Sequence, residues 1–194
     1  MSIIKEAVEN IRLSKGEKLD IDTISIKDPA TYKLYSDGRT VGTFQFESAG
    51  MKRMLKEFKP TCFEDIILLV ACYRPGPMQF LQDEGNSVNV IKVKNGITPV
   101  TYLVPELEPI LKDTYGTMVY QEQIMQIFQV MADYSLGQAD QVRRMMGHKD
   151  PEAMAAQEGK LIEGSAKYGM KAEDAKKLFN QIQNFAAYCF NRAH

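Results

Sequence analysis

The sequence predicts a mainly α protein: an irregular multi-helix array with at most minor β content. Three observations carry that. From Pro105 onward, five apolar patterns of helical period follow one another, separated only by Gly, Ser or Asp-Pro punctuation. The N-terminal half repeats helix-start signals: a capping Ser, an Asp-Pro and a T-x-x-E. Against these, one short stretch, VGTFQFES (41–48), alternates apolar and polar residues as an extended segment does.

Taken in order, Ile3, Ile4, Ala7, Val8 and Ile11 behind Ser2 predict a short amphipathic helix that Gly16 ends. Asp28-Pro29 supplies a cap and a first-turn proline for a second helix, stopped by Asp37-Gly38. A third helix is expected from about Ser48 to Phe58, closed by Pro60. Thr61 and Glu64 read as a capping box ahead of IILLVACY, which is apolar all round and so is expected to be the most buried helix. Its end at YRPGP (73–77) has two prolines and a glycine, the makings of a rigid corner. Residues 82–101 stay unassigned, because VIKVKNG fits a helix end as well as a strand. The five later patterns are PELEPILKDTYG, TMVYQEQIMQIFQVMADYS, LGQADQVRRMMGH, DPEAMAAQEGKLIEGSAKYGM and KAEDAKKLFNQIQNFAAYCFN. In the second of them Val119, Ile124, Ile127, Phe128 and Met131 are expected to be the buried side, leaving Gln121, Glu122, Gln126 and Gln129 to polar partners or water. No internal repeat or low-complexity tract divides the chain, so residues 1–194 are expected to be a single helical domain.

Composition removes several functions. With 24 basic and 25 acidic residues the formal charge is -1, so no global field draws the chain onto nucleic acid or acidic lipid, and any anion site must be local. Cys62, Cys72 and Cys189 form no CxxC pair and lie far in sequence from both histidines, which leaves neither a zinc site nor a disulfide framework to read. No apolar run approaches the ~18 residues of a membrane span, and the charged N-terminus is no signal peptide, so a cytoplasmic protein is expected. The eleven methionines read as core filling.

One local charge stands out: QVRRMMGHK (141–149) holds two arginines and a lysine with no acid. The arms of Arg143 and Arg144, about 100° apart on a helix, can flank one bulky anion such as a triphosphate. Alternatively Asp140 pairs with Arg143 at i, i+3 or Arg144 at i, i+4 as a surface salt bridge, although one aspartate is not expected to satisfy both arginines and Lys149. Arg74 in YRPGP either meets a phosphate or caps the carbonyls at the helix end.

TVGTFQFESAGM (40–51), FEDIILLVACYRPGPMQ (63–79), ELEPILKDTYGTMVYQEQIMQI (106–127), SLGQADQVRRMMGHKDPEAM (135–154) and FAAYCFNRAH (185–194) resemble, in order and interval, segments of the bacterial DNA polymerase III α subunit, a C-family replicative polymerase. That family is much longer, so the resemblance implies a piece covering the first part of the fingers region, with the palm and other domains absent. It further implies that Arg143 and Arg144 face the triphosphate of an incoming deoxynucleotide, joined by Arg192 and His194 from FNRAH, which matches the family's F-N-K-S-H. Arg74, Tyr120, Gln121, Glu122, Lys149 and Asn191 are implied as supporting residues. Three departures weigh on this: Arg192 replaces lysine, Ala193 removes a hydroxyl, and Cys189 stands where glycine is usual; residues 82–92 also leave the family pattern. Asp20-Ile21-Asp22 has the D-x-D spacing of a metal pair, but in the family the catalytic D-x-D lies upstream in the palm, so Asp20 is expected to cap the following turn.

The resemblance thus implies a part of a DNA-directed DNA polymerase in bacterial chromosome replication, with no catalytic residue or metal ligand in this chain. Mg belongs to the parent enzyme, and so do the template-primer, the deoxynucleoside triphosphate and replicase subunits such as the sliding clamp; no membrane is implied. The competing reading is a free-standing noncatalytic helical module that binds nucleic acid or a nucleotide. Near-neutral charge counts against that.

Overall fold

A computed structural model of the chain describes residues 2–74, 77–78, 81, 89–148, 151–186 and 188–192. Among these residues it contains ten α-helices and no strand, and its one β feature is an isolated parallel bridge between Tyr120 and Phe190. The expected mainly α array is what forms.

The first helix, α1 (Ser2–Lys15), buries no side chain, and Gly16 ends it at φ 70°. Asp28 caps α2 (Pro29–Ser36) by accepting from the amides of Ala30 and Thr31. Ser48 does the same for α3 (Ala49–Phe58) through the Met51 amide. Between them, VGTFQFES forms turns and no strand, which corrects the alternation-based expectation: Gln45 takes a left-handed φ of 66°, and that interrupts the period-two pleat.

The capping box of α4 (Phe63–Cys72) is one residue later than the T-x-x-E expectation. Asp65, not Glu64, reaches back, its Oδ2 accepting from the Thr61 and Cys62 amides at 2.7 and 3.3 Å. The same buried carboxylate accepts from Tyr115 Oη at 2.6 Å and pairs with Lys94 Nζ at 2.9 Å. Lys94 ends α5 (Val90–Lys94), so the unassigned VIKVKNG forms a helix, and Asp65 fastens it to α4 and to the turn at Tyr115. Residues 82–88, also left unassigned, lie outside the described residues. Among the described residues α4 is, as expected, the most buried helix: half of its ten residues are buried, and of the rest only Phe63 is exposed.

After the short α6 (Glu108–Leu111) come α7 (Gln121–Ala132), α8 (Leu136–His148), α9 (Pro151–Ser165) and α10 (Ala172–Ala186). All five residues expected on the apolar side of the α7 pattern are buried. Two hydrophobic clusters result. One joins α3 and α4 through Met51, Leu55, Phe58, Leu68 and Leu69. The other joins α7 to α10 around Ile124, Phe128, Leu161, Phe179 and Ile182. Each fully buried side chain of this size contributes roughly 1.5–3 kcal/mol by leaving water. The chain passes between the clusters at 118–120, where Met118 belongs to the second and Val119 and Tyr120 to the first. The start of α7 is therefore held from both sides.

Candidate functional site

The start of α7 is fixed by a residue the sequence reading passed over. Gln123, 4% exposed, accepts on Oε1 from the amides of Val119 and Tyr120 at 2.8 and 2.9 Å. Its Nε2 donates to Ile110 O at 3.1 Å and to Thr114 Oγ1 at 2.8 Å. A glutamine at the third helical position is half of a capping-box signature, and that was the available signal.

Onto this helix start the C-terminal segment folds back. Phe190 N–H donates to Val119 O and Gln121 N–H to Phe190 O, both at 3.0 Å, which makes the parallel bridge. Arg192 follows. Its guanidinium lies 5.7 Å from the centroid of the Tyr120 ring and donates to Asp113 Oδ2 at 3.4 Å, while its amide donates to Glu122 Oε2 at 3.3 Å. Burial pushes the Tyr120 hydroxyl pKa up, so it stays protonated at neutral pH. Asn191, between these residues, is exposed.

Arg74 holds the same segment from the other side. Its Nε donates to Ala71 O at 2.9 Å, its Nη2 donates to Tyr188 O, and its guanidinium lies 4.9 Å from the centroid of Phe190. Of the two alternatives for this residue, the carbonyl cap is the one formed. Arg74 ties the end of α4 to the C-terminal segment.

On α8, Asp140 pairs with both arginines. Oδ1 accepts from Arg143 Nε at 2.9 Å and Nη2 at 2.7 Å, and Oδ2 accepts from Arg144 Nε at 2.8 Å. The two pairs offered as alternatives thus form together, because the two oxygens divide between the i+3 and i+4 positions; Lys149, the third cation of that expectation, lies outside the described residues. Hydrogen bonding from Arg143 foremost holds the Asp140 carboxyl below its ordinary pKa, so the bridge is ionic at neutral pH. Arg143 also donates from Nη1 to Gln121 Oε1 at 3.4 Å, with 28% of its side chain exposed, whereas Arg144 is 70% exposed.

The expected site residues therefore divide. Arg143, Gln121, Glu122, Tyr120 and Arg192 meet around the start of α7, with Arg144 beside Arg143 and Arg74 serving as a tie. Lys149 and His194 lie outside the described residues. Asp20 accepts from the Asp22 amide at 3.1 Å, capping the turn as expected, and no group of His, Cys, Asp and Glu among the described residues could hold a metal ion. No helix of the described residues is long and apolar enough to cross a membrane. Chemically, the start of α7 assembles guanidinium groups, each presenting several donors in a fixed fork, around a helix end whose dipole favours negative charge.

Comparison with known proteins gives this arrangement a context. Residues 1–169 match the family model for the bacterial DNA polymerase III alpha subunit finger domain. The whole chain is similar to the DNA polymerase III subunit alpha of Halalkalibacterium halodurans, at 43% identity over 194 residues, and of Pseudomonas aeruginosa, at 45% over 203 residues. The corresponding protein of Aquifex aeolicus is 41% identical over 191 residues, 98% of the chain. The chain spans 17%, 17% and 16% of the lengths of these three relatives.

Proposed function

This chain belongs to the family of bacterial DNA polymerase III alpha subunit finger domains, and we propose that it forms, as one helical domain, the part of a replicative DNA polymerase that grips the incoming deoxynucleoside triphosphate. The observation that carries this reading is the convergence of Arg143 and Arg144 on Asp140, beside a helix start that also gathers Arg192. Asp140 acts as an organiser, drawing two guanidinium groups to one side of α8. Charge-assisted forks suit phosphate oxygens, and the work of such a surface is positioning and neutralising charge.

The described residues do not fit a metal pair, so no catalytic step is assigned to them; Mg ions and the carboxylates that hold them belong to the remainder of the polymerase, as do contacts with other replicase subunits. Template-primer DNA and deoxynucleotides are the substrates, in the bacterial cytoplasm.

In the full-length polymerase, Arg143→Ala or Arg144→Ala should raise KM and lower kcat, with a loss of roughly 2 to 4 kcal/mol in kcat/KM for each, as for one preorganised electrostatic contact. Lysine should rescue only in part, because a point charge does not reproduce the fork. Steady-state kinetics with thermal melts decides against the salt-bridge alternative, in which Asp140→Ala and Arg144→Ala have similar small effects on stability and none on nucleotide kinetics. Normal polymerisation by the double Arg143→Ala, Arg144→Ala variant would refute the assignment.

A further inference from the structure

A second concentration of positive charge lies on α2, α3 and the loop that joins them. Residues 33–59 carry six basic and three acidic side chains, in a chain whose formal charge is -1. Lys52 and Lys56 recur at i, i+4 on α3, with Arg53 three residues before Lys56, while Met51, Met54, Leu55 and Phe58 take the buried side. From α2, Lys33 meets Asp37 at 3.0 Å, and Arg39 meets the same carboxylate at 3.5 Å; their side chains are 71% and 69% exposed. The two helices are close here: a Cβ built on Gly38 would sit 2.9 Å from Lys56 Cε. Asp37 therefore offsets one charge among Lys33, Arg39 and Lys56. A second acid, Glu47, turns its Oε1 into the loop to accept from Gly42 N–H at 2.7 Å; the third, Glu57, follows Lys56 on α3.

The loop between the helices is fastened. Thr40, fully buried, donates from Oγ1 to Phe46 O at 2.5 Å, and Phe46 N–H donates to Thr43 O at 3.0 Å. Phe46 is itself buried, edge-on to Tyr35 with ring centroids 5.1 Å apart. With Phe46 filling the core position and Gln45 left-handed, Phe44 is held outward at 83% exposure and Val41 at 81%. An aromatic ring fixed in water five residues from Arg39 fits the pairing of stacking face and phosphate-binding cations by which proteins hold unpaired nucleic acid.

We propose that Phe44 is a stacking platform for an unpaired base and that Lys33, Arg39, Lys52, Arg53 and Lys56 take the flanking phosphates, making α2, its loop and α3 a surface for single-stranded DNA. The choice of DNA rests on the polymerase reading. The preference for a single strand does not: a duplex keeps its base faces stacked inside and offers the ring nothing to cover.

The test is fluorescence anisotropy of the 194-residue chain with a labelled oligothymidylate of about twenty nucleotides, and with the matching duplex, across a salt series. Phe44→Ala is expected to weaken oligothymidylate binding about tenfold at an unchanged salt slope, as loss of one stacked base does. Phe44→Leu, which keeps apolar area but loses the ring, should weaken it comparably, and Phe44→Trp should restore it. Lys56→Ala or Arg53→Ala should lower the slope of log K against log salt by about 0.7 for each phosphate left without its cation. Because position 44 faces water, melting temperatures of these variants should match the parent.

Wild-type affinity in both Phe44→Ala and Phe44→Leu would overturn the proposal, as would equal binding of duplex and single strand. So would loss of the Phe44-dependent binding in the double Arg143→Ala, Arg144→Ala chain. The two readings fail separately. Phe44-dependent binding with unchanged nucleotide kinetics in the arginine variants removes the nucleotide site alone, and the reverse pattern removes the single-strand surface alone.

Discussion

Gln123 uses both ends of its amide inside the protein, so its replacement strands several partners at once. Gln123→Ala leaves the amides of Val119 and Tyr120 without their acceptor, and removes the donor from Ile110 O and Thr114 Oγ1. A loss of about 2–4 kcal/mol in denaturant unfolding is expected, since each stranded buried group costs roughly 1–3. Asp65 makes a different kind of prediction. Burial acts to raise its carboxyl pKa, but hydrogen bonds from Tyr115, the Thr61 amide and Lys94, with the charge of Lys94, outweigh it and hold the pKa below the ordinary value. A folded-state pKa below the unfolded one gives stability that is full above the unfolded pKa of about 3.9 and lost as pH falls through the folded value. Asp65→Asn should therefore lower Tm at pH 7, and its deficit against the parent should shrink as the pH is taken below about 4; a deficit that stays constant down to about pH 2 would show that the network is not ionic. The Asp65 network was not legible beforehand, because Lys94 and Tyr115 come from distant sequence. For Gln123 the capping half was signalled by its third helical position, and only the bonds to Ile110 and Thr114 needed the fold. Asp140 differs. Both its arginines are local, and each pair was legible as an i+3 or i+4 bridge; what spacing alone did not show is that the two form together, one on each carboxylate oxygen.

Helix contacts set the effect of a glycine more than its helix does. In α9, Gly164 crosses α7 so closely that an added Cβ would lie 1.9 Å from Met131 O, whereas Gly159 in the same helix has open space. Gly159→Ala should stabilise by about 0.5–1 kcal/mol, the usual helix preference. Gly164→Ala should destabilise by at least about 1–3 kcal/mol, because a backbone atom stands in the way and the helices must part. Thermal melts of the two variants give opposite signs if the crossing is as described. Helix positions were readable from caps and apolar periods: Asp28 caps as expected, the helix expected from about Ser48 starts there, and the buried side of α7 follows its period. The failures have local causes. VGTFQFES alternates like a strand, yet has no neighbouring strand among the described residues to pair with and bends at Gln45. The capping box of α4 shifts by one residue because Asp65 also answers to Lys94 and Tyr115, and only the folded chain brings those two near.

For the molecule as a whole, the expectation is that the 194-residue chain extends no primer. With Mg and all four deoxynucleotides, incorporation by the purified chain should stay at background, and robust synthesis would refute the placement of the catalytic carboxylates outside it. The mainly α architecture and the arginine pair were legible from local pattern and resemblance. The division into two clusters was not, since the boundary falls inside TMVYQEQ, between residues that look alike in sequence. The bridge between Tyr120 and Phe190 bears on the order of folding. Its partners are about seventy residues apart, and closing so long a loop costs entropy that only an already folded α7 and α4 can offset. The bridge should thus close late and open early. In native-state hydrogen exchange, the Phe190 and Gln121 amides should exchange through a local opening while the amides of Phe128 and Met131 wait for global unfolding. Such an opening would carry Arg192 away from Tyr120 and leave Arg143 and Arg144 in place, so that the cationic surface at the start of α7 has one movable member and two fixed ones.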